Sequence, residues 1–438
     1  MKRIILKHGE ESRILGGHPW VYNNEVKAVL EGHGEAAKKA ELCAGECADV
    51  ESDSKHYLGR AFVNPASKII ARIYSSSKEG ADSGFFKRRI REAINRRSLQ
   101  LNECSCRIVF GEADFIPGLI LDSYVGWDLD AALEAAGNSS GITYNALAGR
   151  LGPPEHYIAA QFLCAGTEAR RGIILKAVNE AAESCFGKAP AALIEKSAVS
   201  VRELEALSPS EGIIEGSFPQ NGIVIFENGY PFAVNLLEGQ KTGCFLDQRQ
   251  NHAAAAAFAN DRRVLDCFCY SGGFAVHAAR AGASEVTAVD SSASALKLLE
   301  QNAVLNGVQS IVKPVCSDVF DVLNSYGRSK ERFGLIILDP PAFAKSKIHL
   351  SAAAAAYEEI NLKAISMLET GGILVSCSCS YAITEAHFKH IIARAASRAG
   401  KRIVQTDFRG QASCHPILAG YDESCYLKCG IYTVVKSK

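Results

Sequence analysis

Cys377 and Cys379 stand two residues apart in Ser-Cys-Ser-Cys-Ser-Tyr (376–381), directly after the apolar run Gly-Gly-Ile-Leu-Val (371–375). A lone buried cysteine behaves as a small apolar residue. Two at the end of a strand point to a thiol aimed at a substrate, because the thiolate is the nucleophilic form. Residues two apart share one face of a strand, so parity does not separate them. Position along the strand does. Cys377 still belongs to the apolar run, whereas Cys379 lies beyond it. Asp339 holds the matching place after Leu-Ile-Ile-Leu in LIILDPPAF (335–343). Pro340 and Pro341 cannot continue sheet pairing and stiffen the segment behind the carboxylate. With Phe343 they make a rigid, aromatic-bearing loop suited to a flat, nitrogen-rich substrate.

Three other apolar runs end in groups that bind ligands. The first runs into DCFCYSGGF (266–274), a glycine-rich turn that lets a ligand approach the backbone and frees amide groups at a helix start. Its glycine spacing is not GxGxxG, so a dinucleotide pyrophosphate fits poorly. The second ends in Asp290, where a carboxylate can accept both hydroxyls of a ribose. Asp318 follows the third. Near-pairs such as Cys43/Cys47, Cys104/Cys106 and Cys377/Cys379 lack the spacing and company of zinc ligands, so no metal is expected.

These groups need a scaffold that brings strand ends together. After residue 260, the apolar runs RVLDCFCY, EVTAVD, SIVKPVCSD, FGLIILD and GGILVSCS alternate with helical stretches. That alternation predicts a parallel sheet covered on both faces, with ligands outside the carboxyl ends of its strands. Residues 1–75 carry short β-like runs between glycine turns and predict a small β domain. SSSKEGADSG (75–84) reads as a linker. Residues 76–206 mix strand candidates (RIVFGEA, GLILDSY, HYIAAQF, ALIEKS) with a helix at 169–186, which predicts an α+β middle domain, and 207–438 form the third unit. Segment 208–222 reads as turns, leading into a hairpin at Asn228-Gly229. The helix at 85–101 carries Phe86, Ile90 and Ile94 on one stripe. Lys87, Arg88, Arg89, Arg91, Arg96 and Arg97 lie around it, as a solvated face or an RNA-facing patch.

The order DCFCYSGGF, Asp290, Asp318, DPPAF resembles the class I S-adenosylmethionine-dependent methyltransferases. With EGQKTGCFLDQR (238–249), GHPWVYNNEV (17–26), SCS (378–380) and HPILAGYDESCYLK (415–428), the chain is similar to the large-subunit rRNA methyltransferases of the RlmI type. The resemblance implies a PUA-like RNA-binding domain, a middle α+β domain and a Rossmann-like α/β catalytic domain. It implies transfer of a methyl group from S-adenosylmethionine to carbon 5 of cytosine in large-subunit ribosomal RNA, often by a homodimer. By position, Asp266, Phe268, Tyr270, Ser271, Gly272, Gly273 and Phe274 match the cofactor loop. Asp290 matches the ribose acid, Asp318 the residue beside adenine, and Asp339 the acid between cofactor and base. Gln240, Phe245 and Arg249 lie in the motif flanking the cofactor. Cys379 matches the nucleophile, and Pro340, Pro341, Phe343 and Lys345 the substrate side. Three positions depart from the pattern: His252 where arginine is usual, Cys269 where serine is common, and Cys377 where a bulkier apolar residue is common.

Lys+Arg and Asp+Glu balance at 48 each, so any RNA-binding surface must be local. The fifteen cysteines, the charged N-terminus and the lack of a span-length apolar run predict a cytoplasmic protein with reduced thiols, away from membranes. Three rivals compete. A same-fold methyltransferase acting on a ring nitrogen or exocyclic amine would need Asp339 but no thiol. A nicotinamide-dependent oxidoreductase is disfavoured by the missing third glycine. A non-catalytic RNA-binding protein would have no use for the cofactor residues.

Overall fold

The computed structural model describes residues 1–32, 38–97, 105–137, 141–239, 242–343 and 350–436. Its strands fall into three sheets. The first contains β1 (Lys2–Leu6), β2 (Trp20–Tyr22), β3 (Val26–Glu31), β4 (Lys38–Lys39), β5 (Cys47–Glu51), β6 (Tyr57–Val63) and β7 (Ile69–Ser75), in the order β2-β7-β6-β5-β1-β3-β4. Only β1 and β5 run parallel. Ile4, Leu6, Val21, Val50 and Val63 fill its core.

The second sheet contains β8 (Cys106–Phe110), β9 (Leu119–Asp128), β10 (Glu155–Phe162), β11 (Ala192–Lys196), β12 (Glu211–Gly216), β13 (Ile223–Glu227) and β14 (Tyr230–Val234). The long β9 shares one edge between two partners, β8 along its first half and β13 at its end. The segment expected as turns at 208–222 therefore contains a strand, β12. Its sequence, EGIIEG, is glycine-rich and mostly exposed, so no apolar alternation marks it; pairing with β11 makes it a strand. Asn228 and Gly229 close the β13–β14 hairpin with φ of 51° and 84°, the left-handed pair such a turn requires.

The helices Ser83–Arg96 and Arg171–Phe186 pack on this sheet, burying Phe85, Phe86, Ile90 and Ile94 with Ile158, Phe162, Ile174 and Val178. Phe62 and Tyr74 of the first sheet join that core. Of the basic cluster on the first helix, Arg97 is not at the surface. It is 2% exposed, and its guanidinium donates to both Asp114 oxygens at 3.1 and 2.6 Å. Arg96 donates to the same carboxylate, Arg88 and Arg89 pair with Glu79, and Lys87 pairs with Glu180. The surface cluster that helical spacing suggests is thus largely neutralised by carboxylates from other elements.

The third sheet contains β15 (Arg263–Cys267), β16 (Glu285–Asp290), β17 (Val312–Cys316), β18 (Phe333–Leu338), β19 (Leu368–Ser378), β20 (Arg402–Arg409) and β21 (Lys428–Val435), in the order β17-β16-β15-β18-β19-β21-β20. The first five are parallel, and every residue of β18 is buried, as helices on both faces demand. The spacing predicts five strands after residue 260, whereas the sheet has seven. β21 runs antiparallel between β19 and β20, and no helix separates it from a parallel neighbour. Among the described residues, no helix is long and apolar enough to cross a membrane.

Candidate active site

The parallel order places the C-terminal ends of β15, β16, β18 and β19 on one edge, where they border a cavity of about 320 Å³. The turn after β15 is conformationally strained. Phe268 and Tyr270 adopt φ of 64° and 47°, a region that side chains with a Cβ rarely occupy, and Gly272 follows at 86°. The strain directs the Tyr270 amide to Asp290, whose Oδ2 accepts it at 2.9 Å while Oδ1 accepts the Ser292 amide at the same distance. Two amides thereby fix a carboxylate on the cavity wall. Close packing behind the turn needs glycine. A Cβ at Gly272 would lie 2.8 Å from Leu299, and one at Gly273 would lie 2.4 Å from the His252 ring.

Phe245, Phe268, Tyr270, Ser271, Gly273, Phe274, Asp290, Asp339, Pro340, Pro341 and Cys379 all line this cavity. Gly272 sits behind it, packed on Leu299. Asp266 lies within β15, fully buried, with neither carboxylate oxygen in hydrogen-bond contact. Burial, then the charges of Asp339 and Asp290, push its pKa well up from the ordinary carboxylate value. Asp318 is exposed and caps the helix Val319–Ser329 through the amides of Phe320 and Asp321. Arg249 opens the helix Arg249–Ala256 and donates to the Ser105 carbonyl at 3.3 Å. Phe343 packs on Tyr357, with ring centroids 4.8 Å apart. Gln240 and Lys345 lie outside the described residues.

Asp339 and Cys379 each stand one residue past a strand end. Gln248 donates to Asp339 Oδ2 at 2.9 Å, and Asn251 orients that amide by donating to its oxygen at 2.7 Å. The serines around Cys379 have their own anchor. Ser378 and Ser380 are both fully buried and bond to the Tyr357 hydroxyl at 3.0 Å. The intervening thiol is left half-buried at the cavity, 3.9 Å from the Pro340 carbonyl. Cys377 is fully buried within the sheet, in register with Cys429 of β21. The cysteine and its serine frame are thus held by a helix about twenty residues upstream.

Asn251 and Tyr357 escape a reading by motif, because each is an ordinary helix residue until the fold brings it here, and Gln248, although it stands in EGQKTGCFLDQR, shows its role only through the contact with Asp339. Glu227 and His277 escape such a reading too. His252 bonds Glu227 at 2.6 Å, packs edge-on against Phe274 and lies against Gly273. With His277 these groups bring three ligand-type atoms within 4.8 Å of one another. Where arginine is usual, His252 thus keeps a partner for the buried Glu227 carboxylate without crowding the glycine turn.

The donor set suits S-adenosylmethionine. A fixed carboxylate matches a ribose, a glycine turn allows close backbone approach, and aromatic walls at Phe245 and Tyr270 (5.2 Å apart, edge to face) suit an adenine or a sulfonium. A family model for S-adenosylmethionine-dependent methyltransferases matches residues 207–409, and one for PUA-like domains matches residues 4–76. The chain is 35% identical over 431 residues to the ribosomal RNA large subunit methyltransferase I of Yersinia pseudotuberculosis serotype O:1b, covering 97% of this chain and 98% of that protein. The Yersinia pestis protein of the same name matches equally. A solved structure described as a SAM-dependent methyltransferase from Streptococcus mutans shares the fold with a TM-score of 0.77 at 19% identity, over 99% of this chain and 100% of that one. A second solved structure, a methyltransferase complexed with SAH, matches with the same score and coverage.

Proposed function

The chain belongs to the large-subunit ribosomal RNA methyltransferase I family and carries an S-adenosylmethionine-dependent methyltransferase domain; from that premise we propose that it forms 5-methylcytosine in large-subunit ribosomal RNA through a covalent adduct with Cys379. Asp290, Ser271, Gly273, Phe245 and Tyr270 hold the cofactor in this reading. Bound S-adenosylmethionine supplies an electrophilic methyl on its sulfonium. Carbon 5 of cytosine is a poor nucleophile, so the protein must act on the ring. The Cys379 thiolate adds to carbon 6, and the electron pair of the 5,6 double bond makes carbon 5 nucleophilic. After carbon 5 is methylated, its proton leaves to a base, the double bond re-forms and the thiolate departs. Asp339, oriented by Gln248, holds the base, while Pro340 and Pro341 shape its rigid wall and Phe343 anchors that loop on Tyr357. The target nucleotide must first leave its stack, at a cost of a few kcal/mol unless it is already single-stranded.

The observation that carries the reading is the meeting of a thiol and a carboxylate, each just past its strand, in the cavity that also contains the Asp290 turn. The same reading divides the chain into a PUA-like RNA-binding unit over 1–75, a middle α+β unit over 76–206 and a methyltransferase unit over 207–438, whose first strands, β12–β14, complete the second sheet. It also makes the protein a cytoplasmic homodimer, which sedimentation would test. Incubation with large-subunit rRNA and cofactor, followed by nucleoside mass spectrometry, should yield 5-methylcytosine. A methyl on a ring nitrogen or exocyclic amine would overturn the thiolate mechanism and favour the rival that needs Asp339 alone.

A further inference from the structure

Thiolate chemistry needs something to favour the anion, since an ordinary thiol is only a few per cent ionised at neutral pH. Lys345 and Lys347, the cations that follow DPPAF in sequence, lie outside the described residues. β21 supplies another. Position 428 pairs with Ser378 across the β19–β21 ladder, and Lys428 Nζ donates to the Ser380 carbonyl at 2.8 Å. The side chain therefore runs alongside Cys379, which lies between those two contacts. A second bond, to the Tyr426 carbonyl at 2.8 Å, pins the ammonium.

Lys428 is 4% exposed, and among the described residues no carboxylate lies within ion-pair distance of it. A buried cation without a counter-ion is costly. We propose that Lys428 is the positioning residue that activates Cys379, its buried ammonium serving as counter-ion to the thiolate; the inference rests on the assignment of Cys379 as nucleophile. Burial lowers the Lys428 ammonium pKa while Cys379 and Cys425 oppose the drop, leaving it at about 8, so the thiol and the amine stabilise each other's charged forms. Among the described residues, Asp339 beyond β18 shares the thiol's cavity, and Tyr357 on the helix Leu350–Met367 has its own proton retained in part by Cys379; neither is a cation.

The test reads the thiol directly rather than turnover. The full-length protein is alkylated with iodoacetamide across pH 5.5–9.5, and modification of each cysteine is followed by peptide mass spectrometry. Lys428→Gln keeps N–H donors for the two carbonyls but removes the charge; Lys428→Arg keeps the charge. The Cys379 midpoint should rise by about one unit in Lys428→Gln, roughly tenfold less thiolate at pH 7, and return most of the way in Lys428→Arg. The exposed Cys316 should not move. An unchanged Cys379 midpoint in folded Lys428→Gln overturns the proposal. So does a midpoint at or above the ordinary thiol value in the unsubstituted protein, a reading that needs no variant to fold. Because alkylation does not depend on methyl transfer, failure here is distinct from failure of the nucleophile assignment, which Cys379→Ala tests through activity.

Discussion

At the scale of single residues, Cys377 and Cys379 share a strand face and differ only in where the strand ends. Cys377 is enclosed by the β18–β19–β21 part of the sheet, and its neighbour Cys429, together with burial, pushes its thiol up, away from the reactive anion. Cys379 reaches the cavity. Under the proposed adduct mechanism, in which the thiol acts on the base, Cys379→Ala should abolish methyl transfer and leave cofactor affinity nearly unchanged. Cys377→Ala should keep activity and cost on the order of 1 kcal/mol of stability. A Cys379→Ala enzyme that still methylates carbon 5 at near the original rate would move the nucleophile elsewhere. Asp290 makes the matching case for the cofactor. Its two oxygens are already held by backbone amides, so its remaining lone pairs are pre-aimed at hydroxyls. Asp290→Ala should weaken S-adenosylmethionine binding by about 1.5–3 kcal/mol, measured by calorimetry on folded protein.

At the scale of elements, the helix Ser83–Arg96 shows how a surface-looking charge becomes structural. Its Asp82 cap and apolar stripe set the helix against the second sheet. The residue after its last turn, Arg97, is drawn inward by Asp114 from the segment after β8 and by the Cys414 carbonyl. Removing one partner of a buried pair leaves the other charge stranded, so Arg97→Ala should cost about 3 kcal/mol in denaturant titration. Arg88, half-exposed and paired only at the surface, should cost well under 1 kcal/mol when replaced. Equal losses for the two would mean that Arg97 carries no more than a surface pair does.

Over the whole molecule, acid stability is linked to two buried histidines. His156, on β10 against Phe186, and His277, beside Glu227, are both pushed down to about 4, chiefly by burial. Lys188 adds to the effect at His156; at His277, His252 adds to it and Glu227 opposes it. Each folded-state value lies below the ordinary 6.5, so the stability these groups lend is present above pH 6.5 and lost as pH falls toward 4. The loss is up to about 3 kcal/mol each. The melting temperature should therefore drop from pH 7 to pH 5, and a His156→Gln, His277→Gln double variant should drop less from its own starting point. Parallel slopes for the two proteins would place the acid sensitivity in other groups.

Much of the candidate site was legible in the chain because it is built from local signals. Apolar runs end in Asp290, Asp339 and Cys379; glycine and proline mark where the backbone leaves the sheet; and a parallel α/β sheet collects such ends on one edge whatever its loops contain. β12 and the last two strands were not legible, because they owe their state to a partner strand rather than to their own alternation. The contacts that hold the chemistry in place were equally hidden, even for Gln248 and Lys428, which stand in the motifs at 238–249 and 415–428. Gln248 reaches Asp339 across 91 residues, Lys428 reaches the Ser380 carbonyl across 48, and Arg97 turns from surface to core on account of Asp114. The sequence by itself determined which reactive groups stand at strand ends, since that follows from short-range pattern. Only the tertiary structure decided which neighbours orient and charge them, since those contacts form when distant segments pack and leave no periodic trace in the chain.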